Sequence, residues 1–149
     1  MKIVIRKSYR FNYNKLFDLM MQETGSYLRY TMKMMNLSEQ EFRDIFRTTG
    51  KIYTIYYFCS FAGFFWIEKR DRIIHLHCIV IVSNYRRKGI ANQVMYWIEK
   101  KYRNCAETIE LGVYHSNTNA INLYKNLNYK IVYRLREYDF DIMQKKLSG

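Results

Sequence analysis

Ile79-Val80-Ile81-Val82-Ser83-Asn84-Tyr85-Arg86-Arg87-Lys88-Gly89-Ile90-Ala91 is an apolar run that breaks into a basic, glycine-containing turn. The helix-like segment Asn92 to Tyr102 follows at once. A buried strand feeding such a turn at a helix N-terminus is suited to hold a diphosphate. Free backbone amides and the positive end of the helix dipole point at the anion. Gly89 lets the backbone approach closely, and Arg86, Arg87 and Lys88 add charge. A solvated basic turn between two elements is the competing reading of these residues taken alone.

Upstream of the turn, Arg72 to Val82 is the longest strand candidate, apolar on both faces over its second half as a central strand should be. Lys51–Ser60 and Phe61–Lys69 are aromatic and β-branched, which suits strands, and Arg70-Asp71 suits a tight hairpin turn. Nearer the N-terminus, Lys2–Ser8 reads as a strand, and Tyr13–Gln22 and Tyr27–Met35 as helical pieces. Ser38-Glu39-Gln40-Glu41 is a capping box opening a helix to about Thr48. Downstream, Thr108–Tyr114 reads as a strand, Asn117–Leu127 as a helix, and Tyr129–Arg136 and Tyr138–Lys146 as a closing strand pair. The order β-α-α-α-β-β-β-α-β-α-β-β predicts an α/β domain with a mixed sheet and helices on its faces. With no proline, punctuation falls to six glycines and to Asn, Asp and Ser clusters.

At 149 residues the expectation is a single domain spanning 1–149, long enough for a substantial core. Aromatic residues make up 17% of the chain, more ring surface than a small core needs, so some is expected to line a pocket. The formal net charge of +12 attracts anions: a nucleic acid, an acidic surface or a phosphorylated cofactor. The basic residues are dispersed, and helix-turn-helix, RNP-like and zinc spacings are missing, which disfavours nucleic acid. Cys59, Cys78 and Cys105 lie far apart in or beside apolar segments, so buried free thiols are expected rather than bridges or metal ligands. The apolar core of Met1–Arg6 is too short for a signal peptide or membrane span, and the expected location is cytoplasmic.

Two segments together carry a family resemblance. Arg86-x-x-Gly89-x-Ala91, after a hydrophobic strand and before a helix, resembles the Gln/Arg-x-x-Gly-x-Gly/Ala turn of the GCN5-related N-acetyltransferases (the GNAT superfamily). Asn117-Thr118-Asn119-Ala120-Ile121-Asn122-Leu123-Tyr124, followed by Leu127-Asn128-Tyr129, resembles that superfamily's Asn-x-x-Ala-x-x-Leu-Tyr-x-x-Leu-Gly-Phe. The resemblance covers nearly the whole chain. It implies a mostly antiparallel sheet flanked by helices and splayed between the fourth and fifth strands. It also implies acetyl-CoA as cofactor, its pantetheine arm on the backbone of Ile79, Val80 and Ile81 and its pyrophosphate on the amides of Arg86, Arg87, Lys88, Gly89, Ile90 and Ala91. Asn117 would contact the cofactor, and Tyr124 would be the general acid that protonates the departing thiolate. A core tyrosine is the alternative for Tyr124. Ser83, Arg87 and Asn128 depart from the pattern, standing where a proline and two glycines are common. Asn128 is the mildest departure, because Asn is the next-best residue for a left-handed helix end.

An amine must lose its proton to attack a thioester, so the site needs a base. His75 and His77, at i and i+2, share a strand face and titrate near neutrality. His75-Leu76-His77 is similar to the His-x-His of the arylalkylamine N-acetyltransferases, where the pair belongs to the proton path. Strand histidines facing helices or solvent are the alternative, and Glu68, Glu110 and water are rival bases. The acidic cluster Glu137, Asp139 and Asp141 reads as neutralising Arg134 and Arg136. The expected acceptor pocket lies between Tyr27–Met35, with Tyr27, Tyr30, Met32, Met34 and Met35, and the last hairpin. The acceptor itself stays open: a small amine, an antibiotic, a polyamine, or a peptide N-terminus or lysine. A homodimer also stays open. The competing function is a non-catalytic CoA-binding regulatory module whose basic surface engages RNA or an acidic partner.

Overall fold

The computed structural model describes residues 3–147, the side chains of residues 25–27 excepted. Lys2 and the Tyr27 side chain therefore lie outside the described residues. Seven strands form one sheet: β1 (Ile3–Lys7), β2 (Lys51–Tyr57), β3 (Ser60–Arg70), β4 (Ile73–Ile81), β5 (Thr108–Tyr114), β6 (Lys130–Leu135) and β7 (Phe140–Lys146). Their spatial order is β1-β2-β3-β4-β5-β7-β6. Every neighbouring pair is antiparallel except β4 with β5, which is parallel. The sheet is the mixed, mostly antiparallel one that the sequence implied.

Four helices cover it: α1 (Tyr13–Met34), α2 (Glu39–Thr48), α3 (Ile90–Tyr102) and α4 (Thr118–Asn126). Successive β3 side chains show how the two faces divide, as pleating requires. Phe64 and Trp66 pack with Phe17 and Met20 of α1 and Phe46 of α2, while Phe65 and Ile67 pack with Val94 and Ile98 of α3. Burying side chains of this size contributes about 1.5–3 kcal/mol each. The two helical pieces expected at Tyr13–Gln22 and Tyr27–Met35 are one helix with a kink. Thr24 leaves helical geometry (φ −130°, ψ 21°), and its hydroxyl donates to the Met20 carbonyl at 2.6 Å, holding the bent turn. The Ser38 capping box forms as read, with Ser38 Oγ accepting from the Glu41 amide at 3.0 Å.

The thiols differ from expectation. Cys59 and Cys105 are exposed and only Cys78 is substantially enclosed, because Cys59 sits in the β2–β3 turn and Cys105 in the turn after α3.

Pairing of β4 with β5 runs only from Ile73 opposite Thr108 to Leu76 opposite Leu111. Beyond it β4 follows β3 as far as Ile81 opposite Gly63, and β5 follows β7 as far as Tyr114 opposite Phe140. A wedge opens between the two strands, and the chemistry gathers there.

Candidate active site

The wedge is a cavity of about 360 Å³. Glu23 of α1, His77, Cys78 and Ile79 of β4, and Asn117 and Tyr124 around α4 all contribute to its lining. His77 reaches it through an irregularity. Ile67 pairs with Leu76 and Trp66 with Cys78, so His77 is the extra residue of a β-bulge. The bulge reverses the strand's alternation. Ile74 and Leu76 face α3, yet Val80 faces α1 and α2. His75 and His77 share a face as the spacing implied, their rings 6.4 Å apart and within 17° of parallel.

Each histidine has a carboxylate. His77 Nε2 lies 2.8 Å from Glu68 Oε1, and His75 Nδ1 lies 3.1 Å from Glu110 Oε1. Hydrogen bonds from Arg70, the largest influence, and from His77 bring the Glu68 carboxyl down to about 2, against the opposing effect of burial. Burial pushes the His77 imidazole below its ordinary value, although Glu68 works the other way. With Glu68 ionised, the Nε2 proton of neutral His77 belongs in that hydrogen bond, which leaves Nδ1 with the lone pair. Glu110 is also fixed, accepting from Gln144 Nε2 at 2.6 Å.

Tyr124 is buried and its ring meets Tyr129 edge-on at 5.8 Å. Burial raises its hydroxyl to about 12, so it carries a proton at neutral pH. Burial likewise raises the Cys78 thiol to about 12, which leaves it protonated and poorly nucleophilic. Asn117 is the N-cap of α4 and accepts from the Ala120 amide at 3.2 Å.

The turn before α3 has the helix-opening glycine of the sequence reading and departs from it at Arg86, whose amide donates to the Ser83 carbonyl at 3.3 Å. Gly89 is left-handed (φ 77°) at the N-cap, and Arg87 (φ 61°) also adopts the left-handed region. The first bond into the helix runs from the Gln93 amide to the Gly89 carbonyl at 3.2 Å, after the amides of Ile90, Ala91 and Asn92. No acidic residue occupies the first turn of α3. Arg86, however, is committed elsewhere. Its Nε donates to the Ile81 carbonyl at 2.9 Å and its guanidinium pairs with Glu23 at 2.7 Å, bracing the end of β4 to the kink of α1. Val80 and Ile81 stand at that end of β4, opposite Phe64 and Gly63 of β3.

His115, Gly112 and a second groove had no signal in the sequence. Asp141, 1% exposed, accepts from His115 Nδ1 at 2.9 Å and lies 3.8 Å from Arg134 Nε. Its expected role beside Arg134 is thus partly met, with a histidine added. Gly112 leaves room for the Phe140 ring, which a β-carbon there would strike. The N-terminal helix and the last hairpin meet as expected, the Tyr30 hydroxyl donating to the Glu137 carbonyl at 3.1 Å and its ring lying 6.0 Å from Tyr138. Met32 is buried in the core instead of lining a pocket. A second, mostly apolar groove of about 220 Å³ lies between α1, α2 and β3 and ends on His77. Among the described residues no helix is long and apolar enough to cross a membrane, and no group of His, Cys, Asp or Glu is placed to hold a metal ion.

The family model for the acetyltransferase (GNAT) family matches residues 14–129, which take in the split strands and the glycine turn. The chain belongs to that family. An uncharacterised N-acetyltransferase, YvbK, of Bacillus subtilis is 27% identical over 140 residues, covering 89% of this chain and 90% of the relative. Among solved structures, Ard1 from Thermoplasma volcanium superposes with a TM-score of 0.77 at 15% identity, over 100% of both chains. The PaiA N-acetyltransferase from Thermoplasma acidophilum, solved in complex with coenzyme A, has a TM-score of 0.75 at 16% identity, over 98% of this chain and 99% of that one. As a member of the GNAT family the protein is an acyltransferase by descent, and its fold is the family's fold.

Proposed function

We propose that this acetyltransferase moves the acetyl group of acetyl-CoA to a primary amine by direct attack within a ternary complex. The observation that carries the reading is the wedge itself: a carboxylate-paired neutral imidazole and a protonated tyrosine line one cavity. The chain fits acetyl-CoA on three counts. Among the described residues no strand pairs the β5-facing edge of β4 beyond Leu76, the turn before α3 offers amides at a helix N-terminus, and the cavity between them is roomy. Ile79 to Ile81 would hold the pantetheine arm, the amides of Arg87 to Ala91 the diphosphate, and Asn117 would flank the thioester.

When bound, acetyl-CoA supplies an acetyl group activated as a thioester. His77 Nδ1 takes the amine proton as the N–C bond forms, with Glu68 steadying the resulting imidazolium through Nε2. Tyr124, protonated and lining the wedge, would supply the proton that the departing thiolate needs. His75, paired with Glu110, stacks on the same strand face 6.4 Å from His77 and would help to orient it. The protonated state of Cys78 favours direct transfer over an acyl-enzyme.

The test is thiol release and product mass with acetyl-CoA and a panel of amines. Amine-dependent acetylation is expected. Tyr124→Phe should lower the rate about 10²–10⁴-fold with CoA affinity retained. Wild-type turnover by a Tyr124→Phe enzyme whose chemistry is rate-limiting would return Tyr124 to a packing role. No transfer to any amine would favour the CoA-binding module.

A further inference from the structure

We infer that the acceptor is a primary amine bearing one positive charge on an apolar alkyl or aryl body, and that this body lies in the groove between α1, α2 and β3. The inference rests on the acetyltransferase reading above and names its substrate class. The groove is walled by Met20 and Leu28 of α1, Phe42 and Ile45 of α2, and Trp66 of β3. Its volume of about 220 Å³ equals that of roughly seven waters at about 30 Å³ each. Leu28 and His77 line both the groove and the wedge, so the two cavities meet at the proposed base. An amine held at His77 from the groove side faces the wedge in which the thioester would lie.

Charge decides what kind of amine. Among the described lining residues of the two cavities the only carboxylates are Glu23 and Glu68. Each is already paired with an arginine, Glu23 with Arg86 and Glu68 with Arg70, both at 2.7 Å. A second ammonium on the acceptor finds no free carboxylate there and meets a chain of net charge +12. The apolar walls also disfavour the ammonium form of the reacting amine, which is the form that cannot attack. The walls offer what an apolar body needs: Trp66 and Phe42 rings with centroids 6.1 Å apart, and the adaptable thioethers of Met20 and Met35.

The experiment compares kcat/KM for 2-phenylethylamine, spermidine and a short peptide with a free N-terminus, in the wild type and in two variants. Met35→Trp obstructs the groove at a residue 61% exposed, where a larger side chain does not threaten folding, and Ile45→Trp fills it from α2. Phenylethylamine is expected to exceed both other acceptors by tenfold or more. Either variant should lower its kcat/KM at least tenfold while CoA affinity by calorimetry stays the same. Faster transfer to spermidine or to the peptide overturns the inference and leaves the acetyltransferase reading standing. So does an unchanged phenylethylamine rate in the Met35→Trp enzyme. Failure to acetylate any of the three, with CoA bound, overturns the acetyltransferase reading and this inference with it.

Discussion

His77 owes its position to an irregularity of β4 more than to its spacing from His75. The i, i+2 pattern was readable and the shared face followed from it. The bulge was not readable, because nothing in Leu76-His77-Cys78 signals an extra residue; it arises from how β3 and β4 pair across Trp66 and Ile67. The bulge also separates the two histidines in role, since His77 lines the wedge and the groove while His75 faces Glu110. Because burial lowers the His77 value, the neutral base is fully present at lower pH than for a free imidazole, whose value is about 6.5. The acid limb of kcat/KM should therefore rise with pH about a midpoint below that value. His77→Gln should abolish the limb, and His75→Gln should keep it at a reduced rate. A limb unaltered in His77→Gln would move the proton transfer to Glu110 or water. The same residues shape acid stability. The depressed Glu68 contributes stability above the ordinary carboxylate value, and that contribution is lost as pH falls toward about 2.

At the scale of elements, the segment from β4 through the turn to α3 was the most legible part of the chain. It ends one element and starts another with a residue, Gly89, that only one backbone conformation explains. The Asn128 substitution was legible for the same reason: it is left-handed (φ 71°) after α4, as a glycine there would be. What could not be read was long-range. The insertion of β7 between β5 and β6, the single kinked α1 in place of two helices, and the Arg86–Glu23 brace all depend on partners distant in sequence. The Arg86 guanidinium holds α1 and the Ile81 carbonyl, so under the proposed function the diphosphate falls to the amides, Arg87 and Lys88. Gly89→Val tests that account. A β-branched residue is strained at φ 77°, and the shifted amides should weaken CoA binding tenfold or more, about 1.4 kcal/mol. Unchanged affinity by calorimetry in a folded Gly89→Val protein would remove the diphosphate from this turn.

Across the whole molecule, the wedge survives only because the sheet on either side of it is held independently. On the β5 side that work falls partly to a polar trio in which Glu99 and Tyr129 are buried and Lys145 is half-buried. Glu99 of α3, 7% exposed, accepts from the Tyr129 hydroxyl at 3.1 Å and pairs with Lys145 of β7 at 2.8 Å. These contacts fasten α3, the start of β6 and the inserted strand β7 to one another across the face that carries Tyr124. Lys145→Met should leave a buried carboxylate with one neutral donor and cost about 2–4 kcal/mol. For a chain of this size that lowers Tm by about 2–4 °C per kcal/mol. Replacing all three by apolar residues, Glu99→Leu, Tyr129→Phe and Lys145→Met, removes the orphaned charge along with its partners, and most of the lost stability should return. Thermal unfolding of the single and triple variants at neutral pH decides the matter. If the triple variant is no more stable than Lys145→Met, the trio stabilises the fold through its own attraction. If Lys145→Met costs less than about 1 kcal/mol, water already shields Glu99 and the clamp on this side of the wedge is apolar.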